Sequence, residues 1–196
     1  MFYDVGSRRF LNVTRRCNLN CIFCPETDAA YRGQTISSPE VGAEASLTDI
    51  IDAVCGSGNC REVVFDGIGE PTFRLYDLMQ AARYLKHKGI RARLSTNGLA
   101  DRLHGRSIAP DLEDNIDAVT IALNAHDEES YQRNCRPMIE NAFRSALDFV
   151  ESVKEYVPSV SISAVYDIPS ININACRDLA RELGVDFEER PITQPC

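Results

Sequence analysis

The sequence predicts an α/β fold built on a parallel sheet. Short β-rich runs alternate with helical patterns along the chain, helices end on glycine, and the residues least suited to a strand gather at the ends of the β runs. Candidate strands are Arg9–Thr14, Glu62–Asp66, Arg91–Ser95, Ala118–Leu123, Ser159–Val165 and Val185–Glu189. Their Val, Ile and Phe content and their Gly, Asn, Asp and Pro boundaries suit buried or half-buried strands. Helices are expected near Leu47–Val54, Leu75–Lys88, Met138–Tyr156 and Asn174–Leu183. Phe143, Leu147 and Val150 repeat at helical spacing, and Leu179, Ala180 and Leu183 form a similar stripe. Asn174 is placed as an N-cap, while Gly89 and Gly184 stand where a left-handed glycine ends a helix. Alternation of this kind implies parallel strands joined by crossovers, either as an open doubly wound sheet or as a partial barrel. Both put function at the C-terminal ends of the strands.

A chain of 196 residues with 44% hydrophobic content is expected to form one compact domain, residues 1–196. Its formal charge of −8 argues against general nucleic-acid binding and against an electrostatic membrane surface. No segment approaches the ~20 apolar residues of a membrane span. The start, Met1-Phe-Tyr-Asp-Val-Gly, lacks a basic stretch followed by an apolar run. Eight cysteines in a chain without a secretory pattern point to the reducing cytoplasm, where thiols are free to ligate metal.

The chemistry concentrates in Asn12–Glu26, where Cys17, Cys21 and Cys24 follow the first strand at C-x3-C-x2-C spacing. Three thiolates from one loop can hold three irons of a cubane cluster, and the open fourth iron is what a catalytic site keeps for its ligand. The spacing also suits a zinc knuckle with a remote fourth ligand, or buried cysteines that happen to cluster. The second strand ends in Asp66-Gly67-Ile68-Gly69-Glu70-Pro71, whose glycines permit close backbone approach to a ligand or simply a tight turn. The third ends in Ser95-Thr96-Asn97-Gly98, with Ser95 and Asn97 on one face; the fourth ends in Asn124. Small polar groups there suit a carboxylate or ribose, and Asn124 could equally cap the next turn.

Taken together, these motifs resemble the radical S-adenosylmethionine (radical SAM) superfamily. The triplet, with Phe23 before its last cysteine, resembles the superfamily's cluster loop, Gly67–Glu70 its Gly-Gly-Glu motif with Ile68 inserted, and Thr96–Gly98 its Thr-Asn-Gly turn. The opening through Thr14, with the Asn-Gly-Leu and His-Gly-Arg runs, looks most like the short radical SAM proteins linked to TatD-type nucleases. The resemblance implies a partial (β/α)6 TIM-type barrel, here with its sixth helix missing. It implies a [4Fe-4S] cluster on Cys17, Cys21 and Cys24, and S-adenosylmethionine bound near Phe23, Gly67, Gly69, Glu70, Ser95, Asn97 and Asn124. Reduction by an external flavodoxin- or ferredoxin-like donor would yield a 5′-deoxyadenosyl radical that takes hydrogen from a substrate. A small metabolite or nucleoside-like molecule ranks slightly above a protein partner. Such a cluster would be oxygen-sensitive. The rival reading is a non-enzymatic metal-binding or electron-transfer protein with a structural zinc or an Fe–S cluster.

Other features carry less. Pro25–Ser46 reads as a long mobile connection able to cover the site, and Gly98–Asn115 as a loop with short helical turns. Arg133 and Arg136 are candidates to meet a carboxylate, although surface arginine is the plainer reading. His87, His104 and His126 show no ligand-like spacing. Cys55, Cys60, Cys135, Cys176 and Cys196 form no obvious second ligand set and read as small buried hydrophobes.

Overall fold

The computed structural model describes residues 2–24, 46–55 and 60–192. Pro25–Ser46, apart from Ser46, lies outside the described residues, as does Cys196. Seven strands form one sheet in chain order: β1 (Phe2–Val5), β2 (Arg8–Asn12), β3 (Glu62–Asp66), β4 (Arg91–Thr96), β5 (Ala118–Ala122), β6 (Ser159–Val165) and β7 (Asp186–Arg190). The pairs from β2 to β7 are parallel, and β1 folds back antiparallel on β2 through Gly6 and Ser7. The six expected strands are β2 to β7, each within two residues of its expected limits. The result is a curled half-barrel of the expected partial TIM type. No helix follows β7 among the described residues.

The helices are α1 (Leu47–Cys55), α2 (Leu75–His87), α3 (Ala100–His104), α4 (Ala109–Leu112), α5 (Glu128–Cys135), α6 (Ala142–Val153) and α7 (Ile173–Leu183). A 3-10 turn, Pro71–Arg74, leads into α2. The short turns expected after the third strand are α3 and α4. Helix α5 is a helix that apolar periodicity does not announce. It is set by a capping box in which Asp127 accepts from the Ser130 N–H and Ser130 reaches back to Asp127. The expected Met138 start of the following helix moves to Ala142, with left-handed Asn141 before it. Asn172, rather than Asn174, caps α7: its side chain accepts from the Ala175 N–H at 3.1 Å. Gly89 and Gly184 both adopt positive φ, 69° and 67°, as expected of helix-ending glycines.

Side chains alternate across each strand, and the register sorts them into two faces. Leu11, Val63, Phe65, Leu94, Val119, Ile121 and Ile162 turn outward and pack under Leu78, Leu85, Ala146, Phe149 and Val150 of the helices. The inner face is polar. Arg8, Arg91 and Arg93 converge on Glu62 at 2.8, 3.1 and 3.5 Å. Arg93 reaches on to Thr120 at 3.0 Å and Glu188 at 3.3 Å, and Ser161 donates to Glu188 at 2.7 Å. This network ties β2 through β7 across the floor of the half-barrel and leaves its upper end to other residues.

Candidate cofactor site at the strand ends

The cysteine loop is held on three sides. On the first, Gly69 lies so close beneath it that a Cβ there would stand 2.3 Å from the Thr14 carbonyl and 2.8 Å from Arg15 and Arg16 backbone. The Glu70 N–H then donates to the Arg16 carbonyl at 2.8 Å. Gly67, at φ 137°, is held as closely against Asn12. Only glycine fits either position.

The Glu70 side chain fixes that tip. Its buried carboxylate accepts from the Thr72 N–H (3.0 Å), the Thr72 hydroxyl (2.6 Å), the Thr96 hydroxyl (2.8 Å) and the Asn97 N–H (2.7 Å). Burial pushes its pKa up, and these donors pull it back down. Four donors around an acceptor-only group weld the β3 tip to the β4 tip. His104, unassigned from sequence, buttresses the same turn by meeting the Thr72 carbonyl at 2.8 Å. Asn97 extends the weld upward: its Nδ2 donates to Asn18 Oδ1 at 2.7 Å and stands 3.9 Å from Cys17 Sγ. Its Oδ1 accepts from the Leu99 N–H at 3.0 Å.

On the second side, the loop pairs with the chain that leaves α5. Asn20 and Ile22 donate to the Cys135 and Asn134 carbonyls at 3.0 and 2.9 Å, Met138 donates to the Asn18 carbonyl, and Leu19 bridges Pro137. Left-handed Arg136 turns the chain into this pairing. Asn134 links the arrangement to the β5 tip, donating to the Asn124 carbonyl at 3.3 Å. Asn124, also left-handed at φ 53°, accepts from the Val165 N–H at 3.0 Å and so ties β5 to β6. On the third side, Phe23 is buried among Ala164, Val165, Ile168 and Ile192, which pins the loop ahead of Cys24.

The three thiols themselves are half-buried. Cys17 has its pKa pushed up to about 12, first by burial and then by Glu70, Cys21 and Cys24. Cys21 is raised as well, chiefly by the neighbouring Cys135 thiol, which itself donates to the Leu123 carbonyl at 3.5 Å. Thiols so placed stay protonated at neutral pH unless a metal displaces the proton. Among the described residues, no three Cys, His, Asp or Glu side chains converge tightly enough to chelate a single metal ion. A cubane binds each thiolate at a separate iron and so keeps its ligands further apart than the four of a structural zinc. Three free thiols on one clamped loop are a donor set that such a cluster can use, one thiolate to each of three irons.

The two arginine candidates both lie on the surface. Arg133 pairs with Glu129 at 3.5 Å on the exposed face of α5, and Arg136 is exposed. Residues the sequence reading did not single out do matter here: Asn18, Asn134 and Cys135 at the loop, and Asp66 with Ser163 on the inner face. Asn18 and Asn134 are polar residues whose sequence gives no sign that the two segments pair. Asp66 left a trace, a carboxylate ending the apolar run Val63-Val64-Phe65.

A three-cysteine loop clamped over the C-terminal ends of a curled parallel sheet makes this end of the half-barrel the candidate site. The family model of the Radical SAM superfamily matches residues 11–183, and the chain belongs to that superfamily. It is 26% identical over 185 residues to an uncharacterized protein of Methanocaldococcus jannaschii, covering 94% of this chain and 56% of that protein. It is 25% identical to the 7-carboxy-7-deazaguanine synthase of the same organism, over 95% of this chain and 76% of the enzyme. In fold it is similar to Streptococcus suis SuiB bound to S-adenosylmethionine, with a TM-score of 0.67 at 18% identity, covering 92% of this chain and 39% of SuiB. No helix among the described residues is long and apolar enough to cross a membrane.

Proposed function

We propose that the chain carries a [4Fe-4S] cluster on Cys17, Cys21 and Cys24 and binds S-adenosylmethionine at the open iron. The observation that carries this reading is the docking of the Gly67–Glu70 tip against the root of the cysteine loop, where two glycines are the only residues that fit. A loop needed only to hold a structural ion has no use for a second strand tip at backbone contact.

In this reading the parts divide as follows. The Gly67–Gly69 backbone meets the methionyl amino group, and Glu70 keeps that backbone in place rather than meeting the ligand. Ser95 faces the inner surface beside Asp66, and its buried hydroxyl makes no well-formed hydrogen bond that would keep it from the ligand. Asn97 positions Cys17, Phe23 anchors Cys24, and Asn124 shapes the ribose side through its left-handed turn. The bound cluster and cofactor supply, on reduction, a 5′-deoxyadenosyl radical that abstracts hydrogen from the substrate. The chain's own contribution is to orient the cofactor and exclude water from it. The electron would come from an external flavodoxin- or ferredoxin-like donor. The substrate is a small metabolite or nucleoside-like molecule in preference to a protein partner, and the subgroup is that linked to TatD-type nucleases. Residues 1–196 act as one core domain, in the cytoplasm.

The test is anaerobic reconstitution with iron and sulfide, reduction with dithionite, and detection of 5′-deoxyadenosine from S-adenosylmethionine. The wild-type protein is expected to release it and Cys24→Ala to lose it together with most of its iron. Release by Cys24→Ala at the normal rate would overturn the assignment.

A further inference from the structure

We infer that Asp66 is the counter-charge for the cationic end of S-adenosylmethionine, a recognition residue of the inner face that stands outside the cysteine and glycine motifs. The inference rests on the proposed cofactor reading and deepens it. Asp66 ends β3, immediately before Gly67, and its side chain shares the inner face with Ser95, Ser163 and Arg190 by register. It is 2% exposed, and neither carboxylate oxygen makes a well-formed hydrogen bond; the Ser95 hydroxyl and the Gly67 N–H act on it only as weak donors. The hydroxyls of Ser95 and Ser163, buried on the same face, also lack a well-formed hydrogen bond. Native interiors satisfy nearly all such atoms, so three orphaned side chains on one face at the strand ends mark the place of an absent polar ligand.

The charge of that ligand follows from the surroundings. The charged groups acting on Asp66 are Glu70 from its own tip, which repels its ionised form, and Arg190 from β7, which favours it without a hydrogen bond. The Ser95 hydroxyl on β4 and the Gly67 N–H favour the ionised form as uncharged donors, and Asn12, the register neighbour on β2, brings no charge. Burial dominates and pushes the carboxyl up to about 7. A group in that condition gains most from a cation delivered into the same low-dielectric pocket. S-adenosylmethionine carries two, the sulfonium and the methionyl ammonium, and the latter belongs beside the Gly67–Gly69 backbone.

The test compares wild-type protein with Asp66→Asn, both anaerobically reconstituted, by titration calorimetry against three nucleosides. S-adenosylmethionine has both cations, S-adenosylhomocysteine keeps only the ammonium, and 5′-methylthioadenosine has neither. Iron content and melting temperature verify that the variant is folded and loaded. Asp66→Asn is expected to weaken S-adenosylmethionine by roughly tenfold or more while leaving 5′-methylthioadenosine within about twofold. Loss on S-adenosylmethionine alone assigns Asp66 to the sulfonium, and equal loss on S-adenosylhomocysteine assigns it to the ammonium. If S-adenosylmethionine binds both proteins within about twofold, or all three ligands weaken together, the inference is wrong. Wild-type protein that binds none of the three would instead overturn the cofactor reading beneath it.

Discussion

Two carboxylates, Asp66 and Glu70, flank the same glycine turn and are equally buried, yet they live in opposite conditions. Glu70 accepts four hydrogen bonds from the tips of β3 and β4, whereas Asp66 has only weak donors in the Ser95 hydroxyl and the Gly67 N–H. The first is a weld, a charge whose donors compensate its desolvation and which in return fixes two strand tips and, through Asn97, the Cys17 side of the loop. The second is desolvated with little compensation, a condition that folding alone would select against. Within one turn the chain therefore separates holding the site from meeting its ligand. An acidic residue near a cofactor motif can do either, and the hydrogen-bond inventory tells the two apart.

That contrast is broken most severely at the weld. Glu70→Ala leaves two buried backbone N–H groups and two hydroxyls without their acceptor and opens the contact between β3 and β4. A loss of about 3–5 kcal/mol is expected, read from urea denaturation of the cluster-free protein. Glu70→Gln should recover only part of it, because the amide turns a donor toward groups that all donate. Full stability in Glu70→Gln would mean that the carboxylate is not the acceptor described. The next largest effect is expected at Gly69. Gly69→Ala drives a methyl group into Thr14–Arg16 backbone, which cannot yield as a flexible side chain would. Strain of about 1–3 kcal/mol should appear as a shifted cysteine loop, with iron per chain after reconstitution falling well below wild type. Gly105→Ala is the control: a Cβ there meets nothing within 4 Å, so it should show only the small stability cost of its positive φ of 66° and lose no iron.

Much of this was legible in advance, and the limits have physical causes. The strands and the longer helices announce themselves because burial imposes a period on sequence, as Leu78, Leu85, Phe149 and Val150 do under the sheet. Gly69 was legible as a residue type that close backbone approach requires, although what approaches it is the Thr14–Arg16 backbone. Hairpin β1 was missed because Phe2–Val5 has one paired edge and little burial, so nothing forces a period on it. Helix α5 was missed because two of the four residues it buries, Ser130 and Asn134, are polar, so its buried face leaves no apolar period in the sequence. The pairing of Asn18–Ile22 with Asn134–Met138 joins two irregular segments more than a hundred residues apart through backbone groups, which every sequence possesses. The state of Asp66 is a property of its neighbours. Sequence shows the carboxylate and cannot show how weakly it is bonded.

The smallest effect separates the two carboxylates by pH. Asp66 has a carboxyl pushed up to about 7 in the folded chain, against an ordinary value near 3.8. Between those values the folded state keeps a proton that the unfolded state has released, so stability falls as pH rises and levels off above about pH 8. The shift sets a ceiling of about 4 kcal/mol on this penalty, and relaxation around a buried carboxylate should reduce it to about 1–2 kcal/mol. Asp66→Asn removes the titrating group while keeping its shape. It should therefore melt above wild type at pH 8, with the advantage shrinking toward pH 5.5, when cluster-free proteins are compared by thermal denaturation. Asp66→Asn thus stabilises the fold by the same change that weakens the cationic ligand, while Glu70→Gln destabilises at both pH values. A variant at Asp66 that lost stability equally at pH 5.5 and pH 8 would show that its carboxylate, like that of Glu70, belongs to the scaffold.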